Sequence, residues 1–273
     1  MVEELPRPTP KATEILVRVH ASTVSAADQR TRSKKVPAGL AIPASFTIGF
    51  VRPRRPILGM DAAGVVEEVG AEVTGFQAGD AVVAMLGSRF GGHAEYAVAD
   101  QSDALARVNG ASGAVGSAAV QLPRAVGAHV TGVCSAANAS MVTALGADRV
   151  IDYGTDDFVE ADARYDIVMD CVGNAPVSRV HPIVEPGGAI LHFVGDLRTM
   201  LGAGRNGRAQ GMRVATDPGP YRSRDLEYLL ELAETGRFRP AVDRRYPLED
   251  ISEAHRFVDT GRKRGNVILT IAG

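Results

Sequence analysis

A glycine-rich turn at residues 110–116 most constrains the fold of this chain. Gly110, Gly113 and Gly116 follow a short apolar run and precede a helix-period segment, and a second apolar run covers residues 129–134. Such glycines let the backbone approach a pyrophosphate, while amides at the next helix's start face its negative charge. This strand, turn, helix and strand order favours a dinucleotide cradle over a bare tight turn. The predicted cradle residues are Gly110, Ser112, Gly113, Ala114, Val115 and Gly116.

The residue about 20 positions beyond the turn selects the cofactor, because an acidic side chain there binds the ribose 2′-hydroxyl of NAD. Ser135 holds this position, in a segment (residues 134–138) that contains no carboxylate. Nothing in this segment would repel a 2′-phosphate, and Ser135, Asn138 and Tyr153 have side chains that form hydrogen bonds with one. We therefore predict NADPH (NADP) over NADH. Ser135 and Asn138 also have a structural alternative, which is to cap a predicted helix at residues 139–145, and the two roles are compatible.

The alternation of strands and helices continues after the second strand. Short apolar runs at residues 149–153, 165–173 and 189–194 are separated by helical segments or turns. This pattern predicts an α/β fold with a doubly wound parallel sheet, whose ligands lie at the carboxyl ends of the strands. The two glycines at these ends have the alternative role of only terminating strands. The strand-end residues predicted to contact the cofactor are Cys171, Val172, Gly173, Phe193, Val194 and Gly195.

The first hundred residues follow a different pattern. Alternating apolar and polar residues, bounded by glycine, proline and aspartate, predict an antiparallel β domain to which the C-terminus returns. The alternating runs are residues 14–20, 64–70, 81–85, 93–99 and 266–271, and helices are predicted at 225–234 and 251–260. We predict a β domain at residues 1–105 and 241–273, and a nucleotide-binding domain at residues 106–240.

Composition excludes several classes of protein. With 273 residues, 45% of them hydrophobic, the chain exceeds one typical domain and can bury a substantial core. A net charge of −2 predicts no general attraction to nucleic acid or to anionic membranes. Cys134 and Cys171 both lie in predicted strands, which argues against a disulfide framework, and residues 1–6 show no signal-peptide pattern. We expect a cytoplasmic protein.

Seven motifs recur in one order along almost the whole chain. They are ELPRP (4–8), LGMDAAGVV (58–66), FQAGDAV (76–82), GGHAEY (91–96), NGASGAVG (109–116), LGAD (145–148) and GRKRGNV (261–267). Together they resemble the medium-chain dehydrogenase/reductase superfamily, and most closely its zinc-free quinone oxidoreductase branch. The resemblance implies a GroES-like β domain, a Rossmann domain, an active site between them and usually a homodimer. Asn266, in the last motif, joins the predicted cofactor-binding residues.

Alcohol dehydrogenases of this superfamily use zinc, and the donor residues test whether this chain can. A catalytic zinc needs about three protein ligands, and a structural zinc needs about four, usually cysteines. The zinc enzymes' Gly-His-Glu motif is similar to GMD at residues 59–61, and their first cysteine ligand falls within ASTV at residues 21–24. We expect no metal. Asp61 is interpreted as a structural residue that satisfies a turn, and His20 and His93 as core or surface residues.

Without a metal, the chemistry must come from the cofactor. The resemblance implies hydride transfer from C4 of NADPH to a quinone or an α,β-unsaturated carbonyl. Related reductases commonly place an asparagine after the first helix entry, where this chain has Ser25, so Ser25 and then Thr23 are the catalytic candidates. Two alternatives stay open: a non-catalytic NADPH-binding or structural relative of the same fold, and a zinc-free alcohol dehydrogenase-like reductase.

The approach to the glycine turn is too short. Residues 103–106 end the predicted β domain, yet residues 108–110 already end the first strand of the nucleotide-binding domain. Relatives place a helical crossover between these points, and strands need about five residues each. Either the sequence joins two segments across residues missing from it, which we favour, or the chain lacks the crossover. The first explanation predicts a spatial break near Ala106, Arg107 and Val108.

Overall fold

The computed structural model describes residues 2–33, 56–101, 104–107, 115–160, 163–193, 202, 211–216 and 222–271. The chain divides into two compact units. The β-rich unit comprises residues 1–35, 45–114 and 221–273, and the nucleotide unit comprises residues 36–44 and 115–220. The predicted α/β class, with a β domain and a Rossmann-like sheet, is confirmed. No helix in the described ranges is both long and apolar enough to cross a membrane.

The elements follow one another in a clear order. The strands are β1 (Glu14–Thr23), β2 (Asp61–Val69), β3 (Ala81–Met85), β4 (Tyr96–Asp100), β5 (Ala104–Arg107), β6 (Thr131–Cys134), β7 (Arg149–Asp152), β8 (Tyr165–Asp170), β9 (Val184–His192), β10 (Arg213–Ala215), β11 (Val242–Pro247) and β12 (Asn266–Thr270). The helices are α1 (Ala26–Ser33), α2 (Val115–Ala125), α3 (Ala139–Ala144), α4 (Val177–Val180), α5 (Ser223–Glu234) and α6 (Ile251–Asp259). Single 3-10 turns cover Gly87–Arg89, Ala136–Asn138, His181–Ile183 and Leu248–Asp250.

The β-rich unit contains one continuous sheet. Its strands run in the order β11-β12-β1-β2-β3-β5, and β4 pairs with β1. The predicted antiparallel pairing holds except between β11 and β12, which are parallel. Alternate residues of β1, Ile15, Val17 and Val19, are fully buried in the main core. Helix α6 buries Ala254 and Val258 in a second cluster with residues of β12. This sheet fixes the β1 and β2 residues discussed below.

The nucleotide unit contains two separate parallel ladders in its described part. One joins β6 to β7, and the other joins β8, β9 and β10. In the doubly wound strand order 3-2-1-4-5-6, β6 and β7 correspond to places 2 and 3. The strands β8, β9 and β10 correspond to places 4, 5 and 6. The described residues supply no strand for place 1, which would lie between β6 and β8. The ladder is therefore interrupted where the strand before the glycine turn belongs.

The short run before the glycine turn belongs to the other unit. Ala104–Arg107 form β5, which pairs antiparallel with β3, from Met85↔Ala104 to Val82↔Arg107. One run thus completes the β-rich sheet, and it cannot also serve as the first strand of the nucleotide unit. Residues 108–114 lie outside the described residues, so the spatial break near Arg107 and Val108 stays a prediction.

Large apolar side chains are exposed on the strands next to the empty place. Val133 of β6 is 45% exposed and Ile167 of β8 is 55% exposed. Parallel sheets are normally covered on both faces, which buries their apolar side chains. These exposures agree with the absence of a strand at place 1 among the described residues.

Candidate functional site

The residues predicted to bind the 2′-phosphate lie at one end of the β6–β7 ladder. Ser135 follows the last residue of β6, and the backbone N–H of Tyr153 donates to the Cys134 carbonyl, 3.1 Å away. Ser135 and Asn138 occupy N-cap positions, but neither side chain makes a capping hydrogen bond. The Asn138 Oδ1 atom is buried without a hydrogen-bond partner among the described residues. The capping alternative is therefore not realised, and the binding of a 2′-phosphate by Ser135, half-buried Asn138 and exposed Tyr153 stays a prediction.

Asp152 is a residue of this end that the sequence interpretation missed. It pairs with Cys134 across the ladder, and its Oδ1 atom accepts a hydrogen bond of 2.9 Å from the Gly154 N–H. Burial and the Asp152 charge together raise the pKa of the Cys134 thiol. A carboxylate thus stands one strand away from Ser135. Asp152 could be recognised only from the pairing of β6 with β7, which spacing along the chain does not reveal.

The first turn of α2 is the part of the predicted cradle that the structure describes. Val115 and Gly116 begin the helix and are exposed, and a Cβ atom added at Gly116 would meet only open space. Exposed amides at a helix start suit an anion. Four further cradle residues lie outside the described residues and stay predictions: Gly110, Ser112, Gly113 and Ala114.

Asp170 organises the turn after β8. Its Oδ1 atom accepts from the Val172 and Gly173 N–H groups at 3.0 and 2.7 Å, and its Oδ2 atom accepts from the Ala175 N–H at 3.1 Å. Gly173 has φ +93°, a backbone conformation that favours glycine. The same carboxylate therefore shapes the whole predicted contact segment at residues 171–173. Cys171 lies within it, and burial, with the Asp170 charge, raises the pKa of its thiol.

The end of β9 lies beside this turn. The Phe193 N–H donates to the Asp170 carbonyl at 2.9 Å, which brings exposed Phe193 to the end of β8. The parallel pairing thus places Val172, Gly173 and Phe193 at one edge of the sheet, and their contact with a cofactor stays a prediction. Val194 and Gly195 lie outside the described residues.

Ser25 serves as the N-cap of α1. Its hydroxyl donates to Asp28 Oδ2 at 2.5 Å and accepts from the Asp28 N–H at 3.2 Å, while the Ser25 N–H donates to Asp28 Oδ2 at 2.8 Å. This reciprocal arrangement is a capping box with aspartate as its acid. Asp28 is fully buried, and its Oδ1 atom also accepts from the Gly59 N–H. The catalytic role of Ser25 stays a prediction, since its proton is held by a carboxylate.

Thr23 and Asp61 form a second, partly buried pair, between β1 and β2. Asp61 accepts from the Thr23 N–H at 2.8 Å and from the Thr23 hydroxyl at 2.5 Å, and the Ser22 hydroxyl donates to the Asp61 carbonyl. Burial raises the pKa of Asp61, although the bonds from Thr23 oppose the rise. The structural role expected for Asp61 is confirmed, but it bonds across two strands and not within a turn. The catalytic role of Thr23 stays a prediction.

Two histidines lie near this pair. His93 is buried, and its Nε2 atom lies 2.9 Å from the Thr23 carbonyl. Its ring packs edge-on against His255 of α6, with centroids 5.6 Å apart. Burial, then His93 and Arg32, lower the pKa of His255 to about 4. His93 is thus a core residue, as interpreted, and His20 is exposed.

Asn266 is buried at the start of β12, in the β-rich unit. Its Nδ2 atom donates to the Ala241 carbonyl at 2.9 Å, and its backbone N–H donates to the same carbonyl at 2.8 Å. These bonds give Asn266 a structural role at the entry to β12, and its contact with a cofactor stays a prediction.

Comparisons with known proteins identify the family. Residues 11–120 match the alcohol dehydrogenase GroES-like domain family, and residues 145–269 match the zinc-binding dehydrogenase family. Quinone-oxidoreductase QR1, chloroplastic, from Triphysaria versicolor is 27% identical over 318 residues, which cover 97% of this chain and 92% of that protein. The chain belongs to the medium-chain dehydrogenase/reductase superfamily.

Two further matches extend over almost the whole chain. The mitochondrial NAD(P)H oxidoreductase RTN4IP1 of Mus musculus is 26% identical over 329 residues, which cover 94% of this chain and 82% of that protein. The solved quinone oxidoreductase from Coxiella burnetii has a TM-score of 0.81 at 22% identity, over 98% of this chain and 93% of that one. The chain is thus a quinone oxidoreductase-like member of the superfamily, and the structural likeness shows that the two proteins share one fold.

The length of these matches also bears on the short approach to the glycine turn. The match to QR1 extends over 318 residues, more than the 273 residues of this chain. The relative therefore has internal residues without a counterpart here. A chain that is shorter than its relative agrees with the short approach to the glycine turn.

The zinc that the family name implies does not fit the residues of the β-rich unit. Met60 is not a usual zinc ligand, and the carboxylate of Asp61 is occupied by two hydrogen bonds from Thr23. Both cysteines of the chain lie in the nucleotide unit. Within the described ranges, no group of three or more His, Cys, Asp or Glu side chains is arranged to hold a metal ion.

Proposed function

We propose that this superfamily member is an NADPH-dependent reductase that transfers hydride to a quinone or an α,β-unsaturated carbonyl without zinc. The observation that carries the proposal is the Asp61 carboxylate, which accepts from Thr23 where the zinc enzymes keep their metal-binding segment. Polarisation of the substrate by a metal then has no ligand set, so the acceptor must itself be electrophilic. Quinones and enones meet this requirement, because conjugation spreads the negative charge left by hydride addition.

A bound nicotinamide dinucleotide supplies the hydride. The protein supplies position: amides at the start of α2 favour the pyrophosphate, and the turn at residues 171–173, held by Asp170, orients the ring. The preference for NADPH is supported by Ser135 and Asn138, whose side chains make no capping bond. The nearby carboxylate of Asp152 acts against this preference.

The experiment is NADPH oxidation by the purified full chain, followed by absorbance with a panel of quinones, enones, simple ketones and aldehydes. Dialysis against a chelator and re-addition of zinc form the second arm. We expect turnover of quinones or enones, little with ketones, and the same rate in both metal conditions. Turnover of simple ketones alone, or activity that follows zinc, would contradict the proposal.

A second candidate is a non-catalytic NADPH-binding protein. It is favoured by the interrupted ladder between β6 and β8, and by the hydroxyls of Ser25 and Thr23, which donate to carboxylates. Fluorescence titration with NADPH in the same preparation separates the candidates. Binding of NADPH without turnover of any acceptor would favour this second function.

We also propose a homodimer located in the cytoplasm. Family members usually pair, and the two cysteines are free thiols, which suits a reducing compartment. Light scattering on the purified chain tests the assembly, and a mass of one chain at micromolar concentration would contradict it. Fluorescence microscopy of the chain in its own cells tests the compartment.

A further inference from the structure

Asp170 and His192 end two neighbouring strands of the nucleotide unit. Asp170 is the last residue of β8, His192 is the last residue of β9, and the two are direct partners in the parallel ladder. Both side chains are buried, with exposures of 3% and 2%. The carboxyl ends of parallel strands are where ligands of this fold class bind. A buried polar pair at this edge is therefore in a position to act on a ligand.

The Asp170 carboxylate determines which ring nitrogen of His192 carries the proton. Asp170 accepts three backbone N–H groups, and its Oδ2 atom lies 3.4 Å from His192 Nδ1. Burial opposes the charged form of Asp170, but the bonds from His192 and the backbone outweigh it and lower the pKa of the carboxyl below its usual range. An ionised carboxylate only accepts hydrogen bonds, so the proton sits on Nδ1 of His192. In the neutral ring, Nε2 then carries an unshared electron pair.

The second nitrogen of the ring is unsatisfied. His192 Nε2 is buried and has no hydrogen-bond partner among the described residues. Buried polar atoms nearly always have a partner, because leaving one unpaired is costly. Asp170 also fixes the orientation of the ring, because a flip of the imidazole would break the bond between Nδ1 and the carboxylate. This acceptor is prepared for a donor that arrives with a ligand.

Strand order indicates which part of a dinucleotide brings that donor. The fold is built from two mononucleotide-binding halves, and the residue that selects the 2′-group of the adenosine follows the second strand. Here β6 and β7 belong to that half, and β8, β9 and β10 belong to the half for the nicotinamide nucleotide. The nicotinamide nucleoside offers ribose hydroxyls and a carboxamide N–H as donors.

We propose that His192 Nε2 accepts a hydrogen bond from the nicotinamide nucleoside of the bound cofactor, and that Asp170 is the positioning residue that holds the imidazole for it. The inference rests on the proposed dinucleotide binding and names the residue that recognises its nicotinamide half. The Asp170 carboxylate that orients His192 also shapes the turn at residues 171–173, so the imidazole and the turn lie at the same edge of the sheet.

Two variants separate the acceptor from the positioning contact. His192→Asn keeps a side-chain N–H donor for Asp170 and removes the Nε2 acceptor, whereas His192→Phe removes both groups. We expect His192→Asn to weaken NADPH binding about five- to tenfold, as one lost hydrogen bond would. Amide exchange at Val172, Gly173 and Ala175 should accelerate in His192→Phe only. The matched control is His181→Asn, in the same unit, whose affinity should equal the wild type's.

Nitrogen NMR of the wild-type histidines provides a test that needs no variant. We expect the Nδ1–H form of His192 in the free protein, and a shift of its Nε2 resonance with nicotinamide mononucleotide but none with 2′,5′-ADP. Equal NADPH affinity in His192→Asn and an unmoved Nε2 resonance in the saturated wild type would overturn the inference. Failure of the wild type to bind any dinucleotide would instead overturn the proposed function, so the two failures are distinguishable.

Discussion

The two units of this chain differ in how completely their sheets are built. In the β-rich unit, one ladder of seven strands is continuous, and Ile15 and Leu16 of β1 are fully buried. In the described part of the nucleotide unit, no strand joins β6 to β8, and Ile167 is 55% exposed. Among the described residues, the β-rich unit thus forms an unbroken sheet, whereas the unit expected to hold the cofactor shows no central strand. Stability and cofactor binding should therefore respond separately to mutation.

The largest effect should come from the same truncation made in both units. We expect Ile15→Ala to lower the unfolding free energy of the β-rich unit by about 3 kcal/mol, because it leaves a cavity in a closed core. Ile167→Ala should cost the nucleotide unit less than about 1 kcal/mol, since its side chain already meets solvent. Urea unfolding, with amide exchange to assign each transition, measures both values. Equal costs would show that the two sheets are equally packed.

Acid should destabilise the β-rich unit first. Burial, with His93 and Arg32, lowers the pKa of His255 to about 4 from 6.5, while Asp28 and Asp259 oppose the shift. Between these values the unfolded chain binds a proton that the folded chain does not, so stability falls as pH drops from about 6.5 to about 4. We expect a loss of about 2 kcal/mol. In the nucleotide unit, the pKa of Asp170 is lowered, so its contribution is lost only below the ordinary range of aspartate.

Urea titrations at about pH 7 and about pH 4.5 test this difference. His255→Gln should remove most of the pH dependence of the β-rich unit. His181→Gln, at a partly exposed histidine of the other unit, should leave it in place. A pH dependence that survives His255→Gln would assign it to other groups.

Particular residues show what the sequence could and could not predict. Alternation located β1, whose odd positions 15, 17 and 19 lie in the main core, because a period of two residues follows directly from strand geometry. It missed β11, where Arg244 and Arg245 interrupt the pattern of a strand whose one partner among the described strands is β12. The short approach to the glycine turn was visible, since a run of a few residues cannot serve two sheets. The Asp170–His192 pair was not, because it depends on which strand ends meet.

Cofactor choice should respond to charge at the end of the β6–β7 ladder. Ser135→Asp would place a carboxylate where NAD-specific relatives of this fold class carry one. We expect NADPH affinity to fall at least about tenfold and NADH affinity to rise, because the 2′-phosphate is repelled and the 2′-hydroxyl is bound. Ser140→Asp, on the exposed side of α3, controls for added charge alone. Unchanged discrimination in Ser135→Asp would remove Ser135 from the cofactor site.

The smallest expected effect concerns Asp152, which opposes the proposed NADPH preference from the neighbouring strand. Asp152→Asn keeps an oxygen for the Gly154 N–H and removes the negative charge beside Cys134. We expect NADPH affinity to rise about threefold at low salt and less at high salt, because a half-exposed charge is screened. NADH affinity should stay the same, and Asp156→Asn, at an exposed carboxylate nearby, should change neither. If Asp152→Asn leaves NADPH affinity unchanged at every salt concentration, the 2′-phosphate lies elsewhere. This result would argue against this end of the nucleotide unit as the site of cofactor selection.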